Sequence, residues 1–177
     1  MIYFVRHGES EANVKAVFAG QKENSPLTEK GREQALATAK EIKKEELKIN
    51  RIISSPLKRS FETAKIIAEE IGFDSSKIVI DIRINEYDMG SLTGTPWGVI
   101  SSVMLVQAEN AEDPESFKDR VCNCIKELNK LSENVLVCSH AGVGRVLETI
   151  REGMEAKYFY DLPPFDNASV IKIDWVE

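Results

Sequence analysis

The chain has 177 residues, 42% of them hydrophobic and 29% charged, with a formal net charge of -6 at neutral pH. That length suits one domain, residues 1–177, with a core large enough to need no disulfide or metal staple. The acidic balance speaks against a broad nucleic-acid surface, which depends on many Lys and Arg contacts to phosphates, although it leaves room for a single small anion held by local charge.

The opening MIYFV is a β-rich apolar run of the kind that makes a buried strand, and it breaks into polar RHGESEAN, read as a loop. It lacks the basic region, long apolar stretch and cleavage site of a signal peptide, and no apolar run in the chain reaches the roughly 18 residues of a membrane span. A soluble, cytoplasmic protein without membrane contact is the expectation. Thr28 is placed to cap a helix over EKGREQALATAKEIKKEE, where Ala35, Ala39 and Ile42 recur at helical spacing. RIISS reads as a second strand and LKRSFETAKIIAEEIG as a helix ended by Gly72. KIVIDIRI follows as a third strand, SFKDRVCNCIKELNKL as a helix, NVLVCS as a fourth strand, HAGVGRVLETIREGM as a helix, and ASVIKIDW as a last strand. Cys122 and Cys124 sit two apart in a helical pattern, so their side chains point to different faces and suggest neither a disulfide nor a zinc site.

Alternating strands and helices predict a three-layer α/β/α sandwich around a mostly parallel central sheet. In such sheets the ligand sits beyond the carboxyl ends of the strands. RHGE, SSPLKR, INE and SHAG each follow a predicted strand and would converge on one rim. The chain contains two histidines, His7 and His140, and both fall there. One such histidine alone is more often a packed or surface residue; two on the same rim favour a site. HAGVGR carries fragments of glycine-rich nucleotide motifs, but Leu147 occupies the third glycine position and the Lys-Ser/Thr ending of a P-loop is missing.

Arg6-His7-Gly8-Glu9 after an N-terminal strand resembles the signature of the histidine phosphatase superfamily, which includes the phosphoglycerate mutases. Asn13, the SPLTEKGREQA stretch, SSPLKRSFETA with Arg59, Glu86 in RINEYDMGSLTG, SHAGVGR with His140, and FDNASV before the last strand follow in the family's order, so the likeness covers residues 1 to about 172. The resemblance implies a phosphoglycerate mutase-like fold and phosphoryl transfer through a phosphohistidine on His7. Arg6, Arg59 and His140 would surround the phosphate, and Glu86 would be the proton donor, with Glu9 and Glu11 as rivals by proximity in sequence. Gly8, Ser10, Asn13, Gly20, Tyr87 and Ala141 are the candidate substrate contacts.

The residue types fit the chemistry. A transferring phosphoryl group carries spread negative charge, so positioning and electrostatic stabilisation dominate, and guanidinium groups bind two phosphate oxygens at once. An imidazole is a good nucleophile when one nitrogen is free and the other donates a hydrogen bond. With this charge in place no metal or organic cofactor is expected. Hydrolysis of a small phosphorylated metabolite is favoured over mutase-type transfer, because the mutases it resembles are longer, and over a non-catalytic phospho-ligand binder, which needs no nucleophile. No oligomeric state follows from the sequence. Ser60 and Glu62 stand where Ala and Gln are usual, and Ala141 where Gly often follows the second histidine; alanine would weaken phosphate binding if its backbone needed a positive φ. The segment from Tyr87 to Glu115, with Trp97 and Met104, is expected to cover the leaving group.

Overall fold

The computed structural model describes residues 1–98 and 100–174. Five strands form one sheet: β1 (Ile2–Arg6), β2 (Arg51–Ser54), β3 (Val79–Ile80), β4 (Val135–Ser139) and β5 (Val170–Ile173), in the order β3-β2-β4-β1-β5. The first four are parallel, and β5 runs antiparallel against β1. Helices cover both faces. Ile2 and Phe4 of β1, Ile53 of β2 and Val135 and Val137 of β4 pack with α5 (Pro114–Asn129) and α6 (Ala141–Arg151). Tyr3, Val5, Ile52, Leu136 and Cys138, the alternate residues of the same strands, pack with α2 (Glu29–Lys44) and α3 (Lys58–Ile71). A strand buried on both sides reads as an unbroken apolar run, which is why MIYFV and NVLVCS are legible without alternation.

The helix boundaries follow local chemistry. Thr28 accepts a hydrogen bond from the Gly31 amide at the start of α2, and Gly72 closes α3 at φ 78°. Two segments depart from expectation. RHGESEAN contains a short helix, α1 (Glu11–Val14), because Ser10 and Asn13 cap each other's backbone amides in a reciprocal pair. KIVIDIRI is not one strand: only Val79 and Ile80 pair, both half exposed at the sheet edge. Asp81 then ends the ladder, donating its amide to the Ser54 carbonyl while its carboxylate accepts from the Arg83 amide and starts a 3-10 turn at Ile82–Ile84. The last strand lies within ASVIKIDW as expected, and Trp175 falls outside the described residues. A further short helix, α4 (Ser102–Val106), sits in the connection before α5. Among the described residues no helix is long and apolar enough to cross a membrane.

Register builds the rim. Arg6 pairs with Ser139 and Ser54 with Cys138, so the residues after β1, β2 and β4 emerge side by side. His7 continues the ladder through its amide to the Ser139 carbonyl at 2.9 Å, and Ser55 does the same to Cys138 at 3.1 Å.

Candidate active site

His7 and His140 stand edge-on with ring centroids 5.2 Å apart. The loop that carries His7 lies tightly against the first turn of α2: a Cβ on Gly8 would meet the Gly31 carbonyl oxygen at 2.3 Å, and one on Gly31 would meet the Glu9 oxygen at 2.0 Å. Glycine is required at both places by space. The Gly8 amide donates to Thr63 Oγ1 on α3 at 3.1 Å, and the His7 carbonyl accepts from Asn167 Nδ2 at 2.9 Å. The backbone of His7 is thus fixed by β4, α3 and the turn before β5.

The imidazole's tautomer follows from its partners. His7 Nδ1 lies 2.7 Å from the Gly8 carbonyl, which only accepts, so Nδ1 carries the proton. The Nε2 lone pair receives Arg59 Nε–H at 3.2 Å. Arg59 is itself held by the carbonyls of Glu23 and Gly20, each 3.0 Å away. Gly20 sits at φ 54°, and a Cβ there would press on Met89, so glycine shapes the turn that presents this carbonyl.

His140 Nε2 is 2.7 Å from Ser55 Oγ, whose own proton goes to Asn85 Oδ1 at 3.1 Å. Ser55 therefore accepts from His140 Nε2–H. Among the described residues His140 Nδ1 has no partner, nor does Arg6 Nε, while Arg6 Nη1 is anchored to the Phe165 carbonyl at 2.7 Å. A buried polar atom without a partner costs about 1–3 kcal/mol. Both belong to groups that flank His7: Arg6 Nε carries a hydrogen without an acceptor, and His140 Nδ1, in this tautomer, a lone pair without a donor.

Burial, followed by the positive charges of Arg59 and Arg6, holds His7 well below its ordinary pKa of 6.5; burial, then Arg59 and His7, does the same for His140. Both rings are neutral at pH 7. Because the folded pKa values lie below the unfolded ones, the unfolded chain binds more protons as pH falls below 6.5, and stability is lost in that window. We expect unfolding free energy to fall by up to about 1.4 kcal/mol per pH unit for each histidine between pH 6.5 and 5.5. Denaturant titrations at pH 7.5, 6.5 and 5.5 check this; a His7→Asn, His140→Asn variant with an unchanged slope would contradict it.

Glu86 is buried beside this group. Its Oε1 accepts from the Tyr87 amide at 2.9 Å and its Oε2 from the Gly142 amide at 3.3 Å, in the first turn of α6. The rival Glu9 lines the cleft but is committed to Lys30 and Thr28, whose hydrogen bonds lower its pKa and keep it ionised. Glu11 is exposed on α1, outside the cleft lining.

These groups floor a cleft of about 420 Å³. Arg6, His7, Arg59 and Glu86 line it, with Asn13 and Ala141. Ala141 is an ordinary first helical residue without positive φ, so alanine imposes no backbone strain there. His140, Gly8, Gly20, Ser10 and Tyr87 are not among the lining residues; His140 is fully buried behind His7. Ser10 is fully buried as the cap of α1, and Tyr87 is buried against Phe117 and Phe159 with its hydroxyl donating to the Glu112 carbonyl. Of the expected cover, Met89 and Trp97 reach the cleft, joined by Val17, Phe18 and Tyr160, whereas Met104 is exposed elsewhere. Arg145, stacked on the Tyr160 ring at 4.2 Å, also lines the cleft and was not singled out from sequence; nor were the roles of Ser55, Asn85 and Asn167. Arg145 stands four residues after Ala141 on α6, a same-face helical spacing that could have flagged it.

A profile of the histidine phosphatase superfamily (branch 1) matches residues 2–177. A Cronobacter sakazakii protein named "Probable phosphoglycerate mutase GpmB" is 32% identical over 98% of this chain and 84% of its own length. A mycobacterial glucosyl-3-phosphoglycerate phosphatase superposes with TM-score 0.79 at 23% identity, over 96% of this chain and 90% of that one. The phosphoserine phosphatase of Entamoeba histolytica does so with TM-score 0.78 at 19% identity, over 96% and 87%. At these identities the structural likeness speaks for the shared fold.

Proposed function

We propose that this chain, which belongs to the histidine phosphatase superfamily (branch 1), hydrolyses small phosphomonoesters through a phosphohistidine on His7. The observation that carries the proposal is the state of His7: a neutral imidazole with Nδ1–H fixed on Gly8, its Nε2 lone pair beside Arg59, and unpartnered nitrogens on Arg6 and His140. In the first half-reaction Nε2 attacks phosphorus, the P–O ester bond breaks, and Glu86 gives its proton to the departing oxygen. The Gly8 carbonyl remains hydrogen-bonded to Nδ1–H as the ring becomes cationic. In the second, water attacks phosphorus, Glu86 takes the water's proton, the P–N bond breaks, and inorganic phosphate leaves with His7 restored. Arg6 and Arg59 supply the charge that balances the equatorial oxygens, and His140 becomes a third donor when the charge of the bound phosphate draws a proton onto its Nδ1.

Hydrolysis of p-nitrophenyl phosphate and of alkyl phosphates tests the assignment of Glu86. Glu86→Gln is expected to slow alkyl phosphates by about 10²-fold or more while slowing p-nitrophenyl phosphate far less, because nitrophenolate leaves without a proton. Equal slowing removes Glu86 from the acid role. A mutase reading draws on the name of the Cronobacter relative. Efficient conversion of 3-phosphoglycerate to 2-phosphoglycerate with little phosphate release would favour it over hydrolysis. The apolar wall of the cleft supports a leaving group that is a small organic metabolite. Three cysteines kept as thiols fit a reducing compartment, and we place the enzyme in the cytoplasm.

A further inference from the structure

Gly142 is the second residue of α6, after the capping His140 and Ala141. Glycine in a helix is disfavoured relative to alanine by about 0.5–1 kcal/mol. Its usual justification, a positive φ, is absent here: Gly142 is not among the chain's left-handed glycines. What it provides is space. A Cβ on Gly142 would lie 2.2 Å from Glu86 Oε1, 3.2 Å from Glu86 Cδ and 3.5 Å from Phe117 Cζ. The same residue's amide donates to Glu86 Oε2. One residue therefore both admits the carboxyl group and orients it.

Glu86 has no easy retreat. Its carbonyl accepts from Arg120 Nη2 at 2.9 Å and from Gln21 Nε2 at 2.8 Å. Arg120 also holds the carbonyls of Arg83 and Asn85 and is clamped by both oxygens of Glu112. With the backbone fixed, an added methyl displaces the carboxyl group itself. We propose that Gly142 is a positioning residue for the proton donor, its missing side chain setting where the Glu86 carboxyl group meets the leaving oxygen. The inference rests on Glu86 as the acid. Each carboxyl oxygen has a second lone pair, so a proton carried there is free to pass to the ester oxygen as the P–O bond breaks while the two backbone amides keep the group in place. Displacing it leaves that oxygen to depart as an anion.

The test compares p-nitrophenyl phosphate with phenyl phosphate, substrates of similar shape whose leaving groups differ in basicity, in wild type, Gly142→Ala, Glu86→Gln and the double variant. The readout is the ratio of the two kcat/KM values, which a misfolded fraction or general loss of packing leaves unmoved. Gly142→Ala is expected to raise the ratio about tenfold or more in favour of the nitrophenyl ester, and to raise it no further when Glu86 is already Gln. A ratio within about threefold of wild type in Gly142→Ala, beside a raised ratio in Glu86→Gln, overturns the inference and leaves Glu86 as the acid. An unchanged ratio in both variants removes Glu86 from the acid role, and the inference falls with it.

Discussion

His7→Asn is expected to abolish phosphate release, lowering kcat by on the order of 10⁴-fold or more, because it removes the cleft-lining imidazole whose Nε2 is unprotonated and whose Nδ1–H is fixed on Gly8. Asparagine retains a polar group of similar reach, so the Gly8 and Arg59 contacts have a replacement partner and the fold is preserved. Binding separates chemistry from recognition. The variant should still bind inorganic phosphate or vanadate, since Arg6, Arg59 and His140 are intact. Phosphate release by His7→Asn within tenfold of wild type would assign the nucleophile elsewhere.

Arg59→Ala is the second large effect, an expected loss of about 10²- to 10³-fold in kcat. The side chain is almost wholly buried and joins three groups at once: the carbonyls of Gly20 and Glu23 and Nε2 of His7. Arg59→Lys restores the charge but not a planar fork, and is expected to recover less than about tenfold of that loss. Recovery to near wild type would mean that Arg59 acts as a point charge alone. Steady-state kinetics on p-nitrophenyl phosphate, with thermal unfolding to account for any destabilisation, reads both outcomes.

Much of this arrangement is legible in the sequence because its signals are local. Buried strands announce themselves as apolar runs, and residues directly after parallel strands must meet at one rim, so the sequence alone brings His7 and His140 together. The third strand misled because KIVIDIRI has strand-like composition throughout; what ends it is the tertiary contact of Asp81 with Ser54 and the 3-10 turn that Asp81 caps. Ser10 and Tyr87 illustrate a different limit. A motif places a residue near a site without saying which way the side chain turns, and both turn inward to cap α1 or fill the core. Conversely Ser55, Asn85 and Asn167 act through contacts between segments distant in the chain. Gly142 belongs with them: only its approach to Glu86, across 56 residues, gives the glycine a reason.

The proposed intermediate is covalent, with the phosphoryl group on His7. Mixing the enzyme with p-nitrophenyl phosphate, quenching in alkaline denaturant within the first turnovers and mapping the modified peptide tests it most directly. An acid-labile, base-stable phosphoryl group is expected on the peptide that begins the chain, localised to His7 and lost in His7→Asn. Steady turnover with no phosphoprotein at any quench time, or with the label on another residue, would contradict it.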